Sequence, residues 1–154
     1  RGISADGSAV TGTSLNSPFH GRAFLWTADG GMQDLGTPPG HIESRGLSIN
    51  ADGSAVTGLS YDSSTNARAF LWTSELGMVD LNDYLPTLGV DLTGWVLASA
   101  DGISGNGRII TGSGTYNGEH RAWLVRLVPE PSSLALAAVL LPLAAGRRTA
   151  RFRC

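Results

Sequence analysis

The chain repeats itself. Ile3-Ser4-Ala5-Asp6-Gly7-Ser8-Ala9-Val10-Thr11-Gly12 returns as Ile49-Asn50-Ala51-Asp52-Gly53-Ser54-Ala55-Val56-Thr57-Gly58. Arg22-Ala23-Phe24-Leu25-Trp26-Thr27 returns as Arg68-Ala69-Phe70-Leu71-Trp72-Thr73, and Gly31-Met32 and Asp34-Leu35 return as Gly77-Met78 and Asp80-Leu81. The offset is 46 residues throughout, from Asp6 to Asp52, Trp26 to Trp72 and Met32 to Met78. A third, more divergent copy holds Gly102-Ile103-Ser104-Gly105-Asn106-Gly107-Arg108-Ile109-Ile110-Thr111-Gly112 and Arg121-Ala122-Trp123-Leu124-Val125. It lies 53 or 54 residues beyond the second, and the added length falls mostly in 82–94, which reads as an inserted loop containing Pro and Gly. A fixed period constrains the fold strongly, because each unit must be one supersecondary block that buries its apolar face against the next.

Each unit reads as four short strands, roughly 45–50, 54–60, 67–73 and 77–82 in the second copy. Asp6-Gly7, Asp52-Gly53 and Asn106-Gly107 fall between the first two strands of their copies. Such dipeptides suit a two-residue type I′ hairpin, in which both central residues need φ > 0. Trp26, Trp72 and Trp123, with Phe24 and Phe70, recur on the third strand, which favours core packing over stacking on sugars. Four strands per roughly 40–50 residues is the period of a propeller blade. The expected fold class is all-β: repeated four-stranded antiparallel units, partial β-propeller-like, with a β-solenoid as the runner-up. Three copies are fewer than the roughly four to eight blades of a closed ring. Either further blades precede these or the sheets stack without closing. The chain opens inside a repeat at Arg1-Gly2-Ile3, with neither Met nor signal peptide, and is expected to be the C-terminal part of a longer protein.

Composition narrows the function classes. Hydrophobic residues make up 42%, enough for a core. Residues 1–128 carry seven Arg against twelve Asp and Glu, whereas 129–154 carry four Arg and one Glu. Basic residues therefore cluster only in the tail, which argues against a nucleic-acid partner. Cys154 is the only cysteine, so an intrachain disulfide is excluded. His20, His41 and His120 sit in glycine-rich loop contexts without metal-ligand spacing, and loop solvation is expected for them. Asp6 and Asp52 as calcium ligands would need denser, shorter repeats, and Asn106 lacks the carboxylate. Asp34 and Asp80 read as strand-end turn residues. There is no Gly-x-Ser-x-Gly elbow and no phosphate loop. No catalytic residue, metal or cofactor is expected.

The tail, 128–154, departs from the repeats, 1–127. Pro129-Glu130-Pro131 is a rigid, extended element. An apolar run follows over 134–145, and Arg147, Arg148, Arg151 and Arg153 form a basic end. The run is shorter than the roughly 20 residues that span a bilayer as a helix. Ser132, Ser133, Gly146 and snorkelling arginines bring it near the lower limit. A C-terminal apolar, transmembrane helix acting as a membrane stop is expected, with arginines on the cytoplasmic side and the repeats outside. That reading requires the segment not to be an integral layer of the folded domain with its leucines and charges satisfied there.

Two resemblances follow from these residues. The repeats, from Gly2 to about Leu127, resemble the HAF repeats of exported bacterial proteins, with Arg22, Arg68 and Arg121 at the position of the family's His and Trp123 at that of its Phe. The tail closely resembles the PEP-CTERM sorting signal, which has the same three parts in the same order. Together they imply a secreted, propeller-like protein held transiently in the inner membrane. An exosortase-type enzyme would process it near Pro129-Glu130-Pro131, with delivery to the cell envelope or extracellular space. An exopolysaccharide partner and a place in biofilm are implied as well. The expected function is thus a non-enzymatic surface or matrix β-repeat protein. The alternatives are an extracellular enzyme or carbohydrate-binding propeller whose site lies in upstream repeats, and a cytoplasmic propeller with a misleading apolar end.

Overall fold

The computed structural model describes residues 1–16, 20–129 and 136–142. The strands are β1 (Gly2–Ile3), β2 (Ala9–Leu15), β3 (Gly21–Thr27), β4 (Gly31–Asp34), β5 (His41–Ile49), β6 (Ala55–Asp62), β7 (Ala67–Thr73), β8 (Gly77–Asp80), β9 (Trp95–Ile103), β10 (Ile109–Tyr116), β11 (Glu119–Pro129) and β12 (Leu136–Pro142), and the helix α1 spans Leu81–Thr87. They form three four-stranded antiparallel sheets: β1-β2-β3-β4, β5-β6-β7-β8 and β9-β10-β11-β12. Each sheet is one sequence repeat. The expected all-β, propeller-like architecture is what the chain adopts.

The sheets stack face to face in chain order. β5 lies against β2 and β3 of the first sheet, and β9 lies against β6 and β7 of the second. Successive side chains of a strand point to opposite faces, so one strand serves two interfaces. Ala9, Ala23 and Leu35 of the first unit meet Val56, Phe70, Trp72 and Met78 of the second in one buried cluster. Ala55, Ala69 and Leu71 meet Leu97, Ile110, Trp123 and Val125 in the other. Every interface joins a face of small and leucine side chains to a face of aromatic and branched ones. Within each sheet a glycine stands opposite the aromatic ring: Gly12 opposite Phe24, Gly58 opposite Phe70, Gly112 opposite Trp123. A Cβ at Gly58 would come 2.8 Å from Phe70 Cε1, so the missing side chain makes room for the ring.

Three expectations need correction. The stretch 82–94 is not all loop, because α1 begins it. Asp80 caps the helix by accepting from the Asn82 amide (2.8 Å), and Leu81 and Leu85, one turn apart, drop fully buried into the second interface.

The Asp-Gly turns are not type I′. Gly7, Gly53 and Gly107 have φ of 73°, 77° and 72°, but Asp6, Asp52 and Asn106 are not in the positive-φ region. The link from β5 to β6 is the five residues 50–54, with the Gly53 amide donating to the Asn50 carbonyl (3.3 Å). This is a type I turn followed by a left-handed glycine. It is favoured because the Asp side chain then accepts from the amide two residues on.

The expected C-terminal apolar helix is absent over 136–142. That segment is β12, paired antiparallel with β11 from Trp123↔Pro142 to Pro129↔Leu136. Leucine and alanine favour helix in isolation, but the long outer edge of β11 offers a row of backbone partners, and tertiary pairing overrides a weak propensity. No helix among the described residues is long and apolar enough to cross a membrane.

Candidate functional site

The most regular polar structure is the row of turns at 4–9, 50–55 and 104–109. Asp6 Oδ1 accepts from the Ser8 amide (2.9 Å), the Ser8 hydroxyl (2.7 Å) and the Ser4 hydroxyl (2.8 Å). These bonds, the Ser8 amide first, hold the Asp6 carboxyl down at about 2. Asp52 repeats the pattern with the hydroxyl and amide of Ser54 (2.6 and 3.0 Å), which lower its pKa in that order. Asn106 accepts from the Ser104 hydroxyl (2.7 Å) and the Arg108 amide (3.1 Å). Ser4, Asn50 and Ser104 are also structural, each accepting from an amide at the start of the next strand (Ala9, Ala55 and Ile109, all 2.9 Å). Sequence reading passed over these three, although a Ser or Asn two residues before each Asp or Asn was the available signal.

The turns are also joined to one another. Ala5 N–H donates to the Ala51 carbonyl, and Ala51 N–H donates to the Gly105 carbonyl, both at 3.1 Å. The row therefore stitches adjacent sheets together. In both of its aspartates Oδ1 accepts from local donors, and no group of three or more His, Cys, Asp or Glu among the described residues is placed to hold a metal ion.

The remaining candidates separate. Trp72 and Trp123 are core residues at 7% and 0% exposure, and Trp123, opposite Gly112, stands at the phenylalanine position of the repeat, its Nε1 donating to the Ser113 carbonyl (3.0 Å). Trp26 is 39% exposed. Asp34 accepts from the Gly36 amide (2.8 Å), as Asp80 does from Asn82. The histidines do not share one solvated-loop environment. His120 is exposed on β11, whereas His41 opens β5 with its Nε2 3.8 Å from Asp80 Oδ2, its side chain 10% exposed. His20 is half-buried ahead of β3. A shallow pocket of about 220 Å³ lies on the first sheet between Arg22, Phe24, Met32 and Asp34.

Of the tail, Pro129 is the last residue of β11. Glu130, Pro131, Arg147, Arg148, Arg151, Arg153 and Cys154 lie outside the described residues.

The chain matches no family model and no curated protein. Among solved structures it is similar to a putative TolB from Agrobacterium tumefaciens, with 17% identity and a TM-score of 0.57 over 80% of this chain and 40% of that one. It is also similar to TolB from Acinetobacter baumannii, with 17% identity and a TM-score of 0.50 over 90% of this chain and 33% of that one. The chain spans less than half the length of either. Likeness at this identity speaks to fold alone. Stacked four-stranded sheets, one per repeat, and these two neighbours together give the chain a β-propeller type of fold.

Proposed function

We propose that the chain is a non-enzymatic propeller module of an exported surface or extracellular-matrix protein, sorted through its C-terminal tail by an exosortase-type enzyme. The observation that carries this reading is the fate of the recurring side chains. Aspartates and serines close turns, Phe70, Trp72 and Trp123 fill the two interfaces, and the turns stitch the sheets. The repeats are thus occupied with holding the fold. What departs from them is the tail, whose Pro-Glu-Pro element, apolar run and arginines are the parts of a sorting signal in their usual order. Retention in the inner membrane draws 136–142 away from β11, so the precursor and the folded module use this segment differently. An exopolysaccharide is the partner class that goes with this address.

The test uses a bacterial host with an exosortase-type enzyme and one export signal placed ahead of each protein. The full chain is expected first in the membrane fraction and then in the envelope or medium in processed form. A version ending at Leu127 is expected to bypass the membrane. Because that truncation also removes β12, a second variant changes Arg147, Arg148, Arg151 and Arg153 to Ser and leaves β12 in place. It too is expected to lose membrane retention. Equal soluble recovery of all three proteins, unprocessed, overturns the sorting reading.

A further inference from the structure

The two ends of the strands differ. At one end the repeat is kept, in the stitched turns at 4–9, 50–55 and 104–109. At the other end it is dropped. There the first two strands are paired through His41↔Asp62 in the second sheet and through Trp95↔Tyr116 in the third, at the same register. Arg45 and Tyr61 likewise give way to Ser99 and Thr115. Two sheets of one build fill these positions with different chemistry, so the fold does not dictate them. This end is open however many sheets the stack holds, because a further sheet packs on a face and leaves the strand ends clear.

The side chains at this end are held in place by one another. Arg45 donates from Nε to Glu43 Oε1 (2.7 Å), and its Cζ stands 5.3 Å from the centroid of the Tyr61 ring. Its terminal nitrogens, on a side chain 41% exposed, are left to act as a fork. Asp62 accepts from the Ser64 and Asn66 amides (2.8 and 2.9 Å) and from Asn66 Nδ2 (2.8 Å), so its own loop takes up its carboxylate. Glu43, Arg45, Tyr61, Asp62 and Thr65 line a pocket of about 280 Å³. Trp95 and Tyr116 form a second group, with ring centroids 5.1 Å apart and planes tilted by 38°. Tyr61 shares a face of the second sheet with Ala55, and Tyr116 shares a face of the third with Ile110, both in the core of the second interface. The two groups therefore stand on opposite walls of one interface, at its open end. The Asn117-Gly118 turn fixes Tyr116 beside them: φ is 49° and 82°, as a two-residue type I′ hairpin requires.

We infer that this end of the stack binds a neutral polysaccharide, with one sugar ring stacked on Trp95 and Tyr116 and the hydroxyls of a neighbouring sugar on Arg45 and Glu43. The axial C–H bonds of a pyranose leave one face of the ring apolar, and such a face suits exposed aromatic rings with a polar edge. A hydroxyl donates and accepts at once, whereas a guanidinium only donates and a carboxylate only accepts. Side by side, Arg45 and Glu43 match two adjacent hydroxyls. Charge argues for a neutral ligand: an anion would meet Glu43 and Asp62 as well as Arg45, whose charge Glu43 already balances. The pocket is small beside the roughly 300–1,000 Å³ of sites for larger ligands, so it takes one ring, and the aromatic pair supplies the neighbouring subsite. The inference rests on the reading of the chain as a matrix module, and names the surface by which such a module holds its polysaccharide.

Isothermal titration calorimetry on the purified full chain tests this, with cellohexaose, laminarihexaose, mannohexaose and chitohexaose as neutral probes and polygalacturonate as an acidic one. A neutral probe is expected to bind, and polygalacturonate to bind no more tightly. Tyr116→Ala and Trp95→Leu are each expected to weaken binding about tenfold through the lost ring face. Arg45→Lys is expected to weaken it about tenfold through the lost fork. Trp26→Ala removes an exposed ring on the first sheet, away from this end, and is expected to leave the affinity unchanged. Circular dichroism checks that each variant folds. Trp95 also packs on the core, so Tyr116→Ala, at an exposed residue, decides the matter if Trp95→Leu unfolds. Binding to none of the neutral probes overturns the inference. So does binding that Tyr116→Ala and Arg45→Lys leave intact, and so does a preference for polygalacturonate that salt abolishes. Sorting is not read in this assay: a chain that binds but is not sorted refutes only the sorting, and a sorted chain that does not bind refutes only the site.

Discussion

Gly58→Ala tests whether the glycine facing each aromatic ring is structural. Gly58 lies on β6 between Gly46 of β5 and Phe70 of β7. An added Cβ would overlap the Arg45 carbonyl oxygen and come 2.8 and 2.9 Å from Phe70 Cε1 and Cζ. Neither neighbour yields easily. The carbonyl belongs to the backbone, and Phe70 is fully buried between two sheets. Overpacking of this kind costs roughly 1–3 kcal/mol, and backbone overlap puts it near the upper end, about 3. Replacing a strand glycine by alanine returns about 0.5–1 kcal/mol of chain entropy. The net loss is about 2 kcal/mol, or about 4–8 °C in Tm for a chain of this size. Gly12→Ala is the internal control. Its Cβ would meet Phe24 Cε1 at 3.0 Å and the Arg1 nitrogen at 3.1 Å, and Phe24 is only half-buried. Ring movement and entropy leave that variant near neutral, within about 0.5 kcal/mol. Urea unfolding followed by tryptophan fluorescence measures both. Equal losses at Gly12 and Gly58, or a neutral Gly58→Ala, would refute the steric account.

Two further outcomes follow from the same geometry. Trp72→Ala is expected to cost about 3–5 kcal/mol as a buried aromatic truncation. Trp26→Ala should cost about 2 kcal/mol less, because roughly a third more of a side chain that buries up to about 250 Å² already meets water, at about 25 cal/mol per Å²; equal losses in urea would show that the two faces are equally covered. Asp6 contributes stability that is complete above the ordinary carboxyl value of 3.8 and is lost as pH falls toward about 2, since the unfolded carboxyl takes up its proton first. Asp6→Asn, which copies the third repeat, should keep the turn and flatten this part of the acid-unfolding profile; an unchanged profile would mean that the Ser8 and Ser4 bonds do not persist in solution.

The architecture was legible because it was written three times. The four strands of the second unit were placed to within a few residues, since Asp-Gly, Ala-Phe-Leu-Trp and Gly-Met fix turns and strands independently. The two faces of each sheet were implicit in Ala-Phe-Leu-Trp, where small or aliphatic and aromatic side chains alternate, but which face meets which neighbour needed the stack. The turn type was misread because Asp-Gly serves more than one turn. The backbone amide two residues on, of Ser8, Ser54 or Arg108, donates back to the Asp or Asn side chain, and dipeptide preference ignores that bond. Helix α1 was hidden because Pro86 reads as a helix breaker, whereas it sits in the last turn, after Leu81 and Leu85 have reached the core. The difference between Trp26 and Trp72 had no local signal at all. Both stand in the same Arg-Ala-Phe-Leu-Trp-Thr segment, and the sheet packed on the second unit separates them.

The composition of the tail suits two environments. An apolar stretch without charges is equally content in a bilayer and on the edge of a sheet, provided its backbone groups are satisfied. A helix satisfies them internally; β12 pairs one row of them with β11, whose last seven residues, Trp123 to Pro129, it matches in unbroken register, and leaves the other row at the sheet edge. The sequence position of Pro129-Glu130-Pro131 then acquires a structural meaning. In chain order it falls between β11 and β12, so the proposed cleavage near it would cut the covalent link between the third and fourth strands of the last sheet. A module released in that way would keep three covalently joined strands there, and β11 would be left with a long edge unless β12 stayed bound by pairing alone. A bare edge of that length invites another strand. Proline at its end, unable to donate to a ladder, limits how far such pairing can run.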